Sequence, residues 1–441
     1  MSKLKRSLTL SSVVMFGLAY MTPIIVLGTF GIMADSTHGV VAGAYALALL
    51  AMLMTAYSYG LMAAEYPVAG SAYTYARKSI SPKLGFLVGW AVLLDYLFLP
   101  MVIWLFGAVY LNSAFPHVPM SVWILSFIGV TTVINILGIK FANTVNYLMM
   151  LIQMLVLIAF VLLAMHYVFG DASKSLFDLA PFYQPKVQMS LVMAGAAIAC
   201  YSFLGFDAVT TLTEETINPK KVIPRAILLI TLLGGGIFIA TSYFVGLAHP
   251  GFVFQSSDAA ASEIAKNIGG DIFVTIFLIG LIIGQFASGL SAQASASRLL
   301  YAMGRDGVLP KCIFGKLHAR FQTPALNIVL CGLVALLALA MDVTTSVSFI
   351  NFGAFLAFTS VNLSVIARFY IRRTEPAPRD FLKFLLIPIL GAAADLWLLI
   401  SLDQKAITLG LSWLVIGLVY LAYLTKGFSK EPPEMDFTEA E

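Results

Sequence analysis

The stretch Ser11-Ser12-Val13-Val14-Met15-Phe16-Gly17-Leu18-Ala19-Tyr20-Met21-Thr22-Pro23-Ile24-Ile25-Val26-Leu27-Gly28-Thr29-Phe30-Gly31-Ile32-Met33-Ala34 contains no charged residue. It is long enough for a helix to cross a bilayer core, which takes about 20 apolar residues. Near its middle stands Thr22-Pro23. Proline has no N–H to donate and its ring clashes with the preceding turn, so a helix is interrupted there. Water can hydrate such an interruption, but lipid cannot. An interrupted membrane helix must therefore satisfy its freed backbone groups within the protein or around a cavity.

The rest of the chain makes the same demand. Of 441 residues, 60% are hydrophobic and only 11% charged, against about 25% charged in ordinary soluble domains. The 26 basic and 22 acidic side chains cannot cover the surface of several soluble domains. A soluble enzyme, a disordered chain and a secreted disulfide scaffold are excluded. A net charge of +4, dispersed along the chain, does not argue for nucleic acid. Cys200 and Cys331 lie in apolar stretches and Cys312 in a basic loop, which is no disulfide framework. The basic start, Met1 to Arg6, precedes an apolar run too long for a signal peptide, so an uncleaved span is expected.

Twelve spans are predicted, at 11–34, 40–63, 84–111, 119–139, 144–169, 189–213, 223–248, 270–297, 325–342, 346–370, 383–402 and 405–425. The runs are continuous rather than alternating, so they are helices and not barrel strands. The last two are separated only by a tight turn near Asp403 to Lys405. The tail from Gly427 to Glu441 is acidic, contains proline and is expected to be disordered. With a cytoplasmic N-terminus, only Lys174, Lys186, Lys266 and Lys405 of the 26 basic residues fall on the far side. That asymmetry predicts cytoplasmic termini and supports the span count.

The span at 189–213 is also interrupted, by Ser202, Gly205 and Asp207. It lies five helices after the first, the spacing of an inverted five-helix repeat. In such folds two broken helices meet at the midplane and bind substrate or ions with their free backbone groups. Proline and glycine are common in membrane helices anyway, so spacing alone leaves the packing reading open.

Three acids fall well within spans: Asp95, Asp207 and Asp395. A carboxylate there costs at least about 2.5 kcal/mol on insertion scales, so it needs a partner or a task. Asp207, beside the second interruption, is read as functional. Asp95 fits a hydrogen bond to a helix end as well as it fits substrate contact. Asp395 lies outside the ten-helix core and is read as packing. Glu65, at the end of the second span, is read as a cap or a loop salt bridge. Tyr96 and Trp104 lie deep in the third span, where they wall a pocket or simply pack. The five histidines lie near span ends without ligand spacing, so no metal is expected. Gly234-Gly235-Gly236 lacks the Lys-Ser/Thr of a phosphate cradle and reads as close helix packing. Nothing points to ATP, to a cofactor or to an enzyme, and a secondary transporter fits better than a pump or a channel.

Several motifs resemble the amino acid–polyamine–organocation superfamily. Glu65-Tyr66-Pro67-Val68-Ala69-Gly70-Ser71-Ala72-Tyr73-Thr74-Tyr75, with Gly85 to Trp90, is similar to its second-to-third helix signature. Tyr201-Ser202-Phe203-Leu204-Gly205-Phe206-Asp207 looks like its broken sixth helix. Glu214-Glu215-Thr216, Asn218-Pro219 and Ile223-Pro224-Arg225-Ala226 resemble the loop that follows. Ser297 to Gly307 and Thr323 to Asn327 complete a match over nearly the whole chain. Leu94-Asp95-Tyr96-Leu97-Phe98-Leu99-Pro100 and Ile350-Asn351-Phe352-Gly353-Ala354 look most like bacterial putrescine importers.

The resemblance implies an all-α membrane protein of twelve transmembrane helices. These would form a LeuT-like inverted five-helix repeat plus two additional helices. The first repeat would occupy 11–169 and the second 189–370. Two further helices would fill 383–425, with tails at 1–10 and 426–441. Substrate would bind between the first, third, sixth, eighth and tenth helices by alternating access. Ala19 to Pro23 would form the unwound first helix. Family members bind a carboxylate with a Gly-rich break there; Thr22-Pro23 occupies that place here. Tyr201 stands where some exchangers have a gating Trp, and Asp207 where they have a coupling Glu. Gln153 stands where some proton-coupled members have a Lys.

The expected function is proton-driven import of a small molecule, either a polyamine such as putrescine or an amino acid, across the inner (plasma) membrane. The expected site comprises Ala19, Thr22, Pro23, Tyr96, Tyr110, Tyr201, Ser202, Phe203, Gly205 and Asp207, with Asp207 also coupling and with membrane lipid as surroundings. The rival is a neutral amino-acid permease. A non-transporting sensor would need an appended soluble domain, which the short tail after Lys426 does not suggest.

Overall fold

The computed structural model describes residues 6, 8–68, 70–137, 143–171, 175–213, 215–250, 253–321, 323–372 and 380–434, and of 143–147 the backbone only. Lys140, Lys174, Glu214 and the tail beyond 434 lie outside the described residues. Among the described residues the chain is helical, with one isolated β-bridge between Leu8 and Thr216.

The first span is two helices, α1 (Leu10–Met21) and α2 (Ile25–Thr37), bent by 46°. Then follow α3 (Val41–Glu65), a short α4 (Ser71–Ser79), α5 (Pro82–Ala114), α6 (Met120–Leu137) and α7 (Asn143–Phe169). Ser81 accepts from Leu84 N–H at 3.2 Å and Pro82 takes the first turn of α5, a standard start that wastes no donor. The second interrupted span is α8 (Met189–Ala199), continued by 3-10 turns at Cys200–Phe203 and Ala208–Leu212. Beyond it lie α9 (Pro219–Ala248), α10 (Ala260–Arg305), α11 (Lys311–Phe314), α12 (Ala325–Ala335), α13 (Val343–Val365), α14 (Ile387–Ile400) and α15 (Gln404–Leu424).

Ten helices are long and apolar enough to cross a membrane, and the bent pair α1–α2 passes the same test as one span. Ala325–Leu339 is apolar but shorter, and its last turn is 3-10. Several boundaries differ from the expected ones, most of all in the eighth span, which ends later, at Arg305. The eighth span begins ten residues early, because Ala260 opens a helix that runs through a kink at Gly270, where φ is 68°. The region around 325–342 ends its helix at Leu339, and Asp342 then caps α13 by accepting from Thr345 N–H at 2.8 Å.

The described part of the tail is anchored. Lys83 Nζ donates to Phe428 O at 2.7 Å, Arg77 donates to Pro432 O at 3.4 Å, and Pro432 is buried. Disorder was the expectation for this stretch. The carbonyls of Phe428 and Pro432 and the Glu434 carboxylate, 3.6 Å from Arg77, hold this stretch against the start of α5 and α4.

Within the bundle, α3 lies along α9, α5 along α10, and α2 beside α8, while α13 packs on α5, α3 and α14. Gly234 and Gly235 on α9 receive Met21 and Leu49: a Cβ at either would come within 2.6 Å of those side chains. Close packing explains these two glycines, whereas Gly236 faces open space. Outward faces of α6, α14 and α15 show Leu125, Val133, Leu390, Trp397 and Val419, as a lipid-facing shell requires.

Candidate functional site

The two interruptions meet. In the first, Thr22 adopts φ 50°, ψ 74°, and its N–H donates to Ala19 O at 3.3 Å. Pro23 offers no donor. The N–H groups of Ile25, Val26 and Leu27 then bond back to the carbonyls of Thr22, Pro23 and Ile24, at 2.9, 3.5 and 3.0 Å. The second interruption is longer. Leu204 leaves the helix at φ −57°, ψ 127°, and Gly205 has φ 110°. A Cβ on Gly205 would sit 2.2 Å from Tyr20 Cδ1, so the Tyr20 ring of α1 rests on that glycine.

Between them is a small cavity. Tyr20, Met21, Thr22 and Ile25 come from the first interruption and Tyr201 and Leu204 from the second. Leu99 and Ile103 of α5 and Gln285 and Ser288 of α10 close it. Its free volume of about 20 Å³ holds one water and not an amino acid or a diamine, so these side chains must move to admit a substrate.

One end is shut by aromatic packing. The Tyr201 ring stacks on Phe106, with centroids 5.7 Å apart. One turn further along α5, Tyr110 donates to Leu27 O at 3.1 Å and ties that helix to α2. Beyond the lining side chains, Asp95 on α5 and Asp207 lie near one another and near Tyr20 and Tyr96. Asp95 is also near Tyr201, a wall of the cavity. Asp95 Oδ1 is buried without a hydrogen-bond partner. A buried polar atom left unpaired costs about 1–3 kcal/mol, so this oxygen is available to a ligand.

Of the expected residues, Thr22 and Tyr201 line the cavity, Gly205 packs on Tyr20 beside it, Tyr96 and Asp207 lie near Tyr20, and Ala19 and Pro23 adjoin Thr22 in the first interruption. Three expected residues lie elsewhere. Ser202 Oγ meets Tyr45 OH at 2.9 Å, and that hydroxyl meets Thr29 Oγ1 at 2.9 Å. This chain of hydroxyls clamps the second interruption to α3 and α2. Phe203 packs edge-on against Phe238 of α9, 5.2 Å between centroids. Tyr110 is a tie rather than a wall. Trp104 is fully buried, and its indole abuts Gly289 of α10.

Sequence reasoning missed Tyr20, Leu99, Ile103, Phe106 and Gln285. A signal existed for three of them: Asp95, Leu99, Ile103, Phe106 and Tyr110 recur at helical spacing and share one face of α5. Away from the cavity, Glu65 accepts from Arg368 at 2.6 Å, the salt bridge its position suggested. Among the described residues no group of three His, Cys, Asp or Glu could hold a metal.

A multi-pass helical bundle with two interrupted helices meeting at a small cavity is the architecture of a membrane permease. The sequence profile of the amino acid permease family matches residues 12–424. The low-affinity putrescine importer PlaP of Escherichia coli K12 is 42% identical over 98% of this chain and 97% of its own. The branched-chain amino acid permease BcaP of Bacillus subtilis is 28% identical over 91% of this chain and 90% of its own. The mouse cationic amino acid transporter 4 is 28% identical over 76% of this chain and 55% of its own. The chain belongs to the amino acid permease family. It is a multi-pass membrane transporter and not an enzyme.

Proposed function

We propose that this permease imports a short polyamine such as putrescine across the inner membrane, by proton symport and alternating access. The observation that carries the reading is the pair Asp95 and Asp207. The two carboxyls lie near one another beside Tyr20, a wall of the cavity, and near Tyr96, with no ion-pair partner among the described residues. A diamine needs an anion or an aromatic face at each end, and these residues offer both. Carboxyls inside a membrane are also where a proton is exchanged against a cation. The first interruption supports the same choice. Its N–H groups at Ile25, Val26 and Leu27 are occupied and Pro23 has none, so it makes a poor carboxylate cradle. The 42% identity to a protein named as a putrescine importer agrees.

The architecture we infer is twelve spans, with α12 and its 3-10 turn as the ninth, an inverted five-helix repeat, and both termini cytoplasmic. Helices offset by five lie side by side: the second span along the seventh, the third along the eighth, and the first beside the sixth. Reporter fusions after Lys140 and Lys430 should be cytoplasmic and one near Lys174 external. An external reporter at Lys430 would remove the span count.

The rival reading is a neutral amino-acid permease. It is favoured by the cavity's Gln285, whose Nε2 is a buried donor without an acceptor. Proteoliposome uptake decides between them. Saturable putrescine uptake that rises with an inward proton gradient is expected. Proton-dependent uptake of a neutral amino acid that putrescine does not compete for would establish the rival instead.

A further inference from the structure

The third intramembrane acid, Asp395, takes no part in the cavity. It lies on α14, fully buried. Its Oδ2 accepts from Thr55 Oγ1 on α3 at 2.9 Å and from Asn362 Nδ2 on α13 at 2.9 Å. Asn362 Nδ2 also donates to Thr55 Oγ1 at 3.0 Å, which closes a triangle. Two buried oxygens remain without partners: Asp395 Oδ1 and Asn362 Oδ1. Both are acceptors, so they cannot satisfy one another. Gly391, one turn before Asp395, lets Asn362 approach: a Cβ there would be 2.8 Å from Asn362 Oδ1.

A carboxyl and a primary amide have matching edges. When the acid is protonated, its O–H donates to the amide oxygen while the amide N–H donates to the acid's other oxygen. A single proton on Oδ1 of Asp395 therefore supplies the one donor both orphan oxygens lack. We infer that Asp395 is a resident proton site, a neutral acid paired edge to edge with Asn362, that joins α14 to α3 and α13. The other groups acting on it or acted on by it are Thr55 and Tyr59 of α3, Asn362 of α13 and Cys200 at the second interruption, and none is a cation.

The assignment bears on the transport site. Tyr59 is near both Asp395 and Asp207 and packs on Phe206 and Phe358. On the proposed function, a permanently neutral Asp395 leaves Asp95 and Asp207 as the carriers of transported protons among the three.

The test is an infrared difference spectrum at neutral pH between the reconstituted wild-type transporter and Asp395→Asn, with melting curves of both and of Asp395→Leu. An asparagine amide donates to Asn362 Oδ1 and accepts the same two bonds. Asp395→Asn should thus melt close to wild type, and the difference spectrum should show loss of a protonated-acid C=O stretch. Asp395→Leu leaves the Thr55 hydroxyl proton without its acceptor and Asn362 Oδ1 without a donor, only the Asn362 Nδ2 to Thr55 Oγ1 bond remaining, and should melt well below either. Loss of a carboxylate band instead, failure of Asp395→Asn to fold, or an Asp395→Leu protein that melts like wild type would each overturn the assignment.

Discussion

The two interrupted helices solve one problem in opposite ways. The first turns its corner in three residues, Thr22 to Ile24, with a left-handed threonine and a proline, and starts its second helix at once. The second spends the whole stretch from Cys200 to Leu212 in tight turns and an open backbone pivoted on Gly205. A short break bonds the N–H groups of Thr22, Ile25, Val26 and Leu27 back within itself and, on the proposed function, acts as a wall. A long break carries a side chain, Asp207, which on the same proposal takes part in transport. The lesson is that an interruption's sequence says which role it takes: proline and a β-branched residue for the wall, glycine and an acid for the working element.

The sharpest way to break this contrast is Asp207→Asn. Removing one partner of a buried charge interaction costs about 3–5 kcal/mol, so concentrative putrescine uptake should fall by about 10²-fold or more. Counterflow survives if the role is protonation alone. Full uptake that still follows pH would remove Asp207 from the mechanism.

Next in size is Gly205→Ala. A Cβ there meets Tyr20 at 2.2 Å and an alanine resists φ 110°. About 2–4 kcal/mol of stability should be lost, read as a fall in melting temperature together with uptake. An alanine variant as stable as wild type would mean that the second break does not depend on its glycine.

Asp95→Asn tests the second anionic end. It should weaken putrescine competition about tenfold, as loss of about 1.4 kcal/mol implies, and leave competition by a monoamine nearly unchanged. Equal losses for both amines would assign Asp95 to structure.

The smallest expected effect belongs to the wall. Thr22→Gly places glycine where the backbone is already left-handed and removes only two long hydroxyl contacts of 3.4 Å. Stability should change by less than about 1 kcal/mol, measured by melting. A loss as large as that of Gly205→Ala would abolish the distinction between the two breaks.

Much of this was legible in the residues because lipid is an unforgiving solvent. Hydrophobic runs give spans directly, and Pro23 and Gly205 mark the interruptions because few other residues hold those conformations. Asp207 stood out for the same reason. The contacts of Ser202 and Phe203 could not be read from sequence, since a residue in an unwound segment has no regular periodicity to say which way it faces. Only the fold shows that Ser202 turns toward Tyr45 and Phe203 toward Phe238. The partnership of Asp395 with Thr55 and Asn362 was likewise invisible, because its members are 340 and 33 residues away along the chain. Tyr20 was overlooked because a tyrosine in an apolar helix carries no mark of its own. Its neighbour across the gap, Gly205, is what gives it meaning.

The clamp between Tyr45 and Ser202 also has a history in the making of the protein. Its two hydroxyls are 157 residues apart, and Leu8 N–H similarly waits for Glu215 O. At about 5–20 residues per second, the ribosome needs about 8–30 s to deliver Ser202 after Tyr45. Throughout that interval Thr29 and Tyr45 are without the third hydroxyl of their chain, an exposed edge of the half-made bundle. Slow codons or stalling between these points would prolong that exposure, so degradation of half-made chains should rise before any defect in the finished transporter is seen.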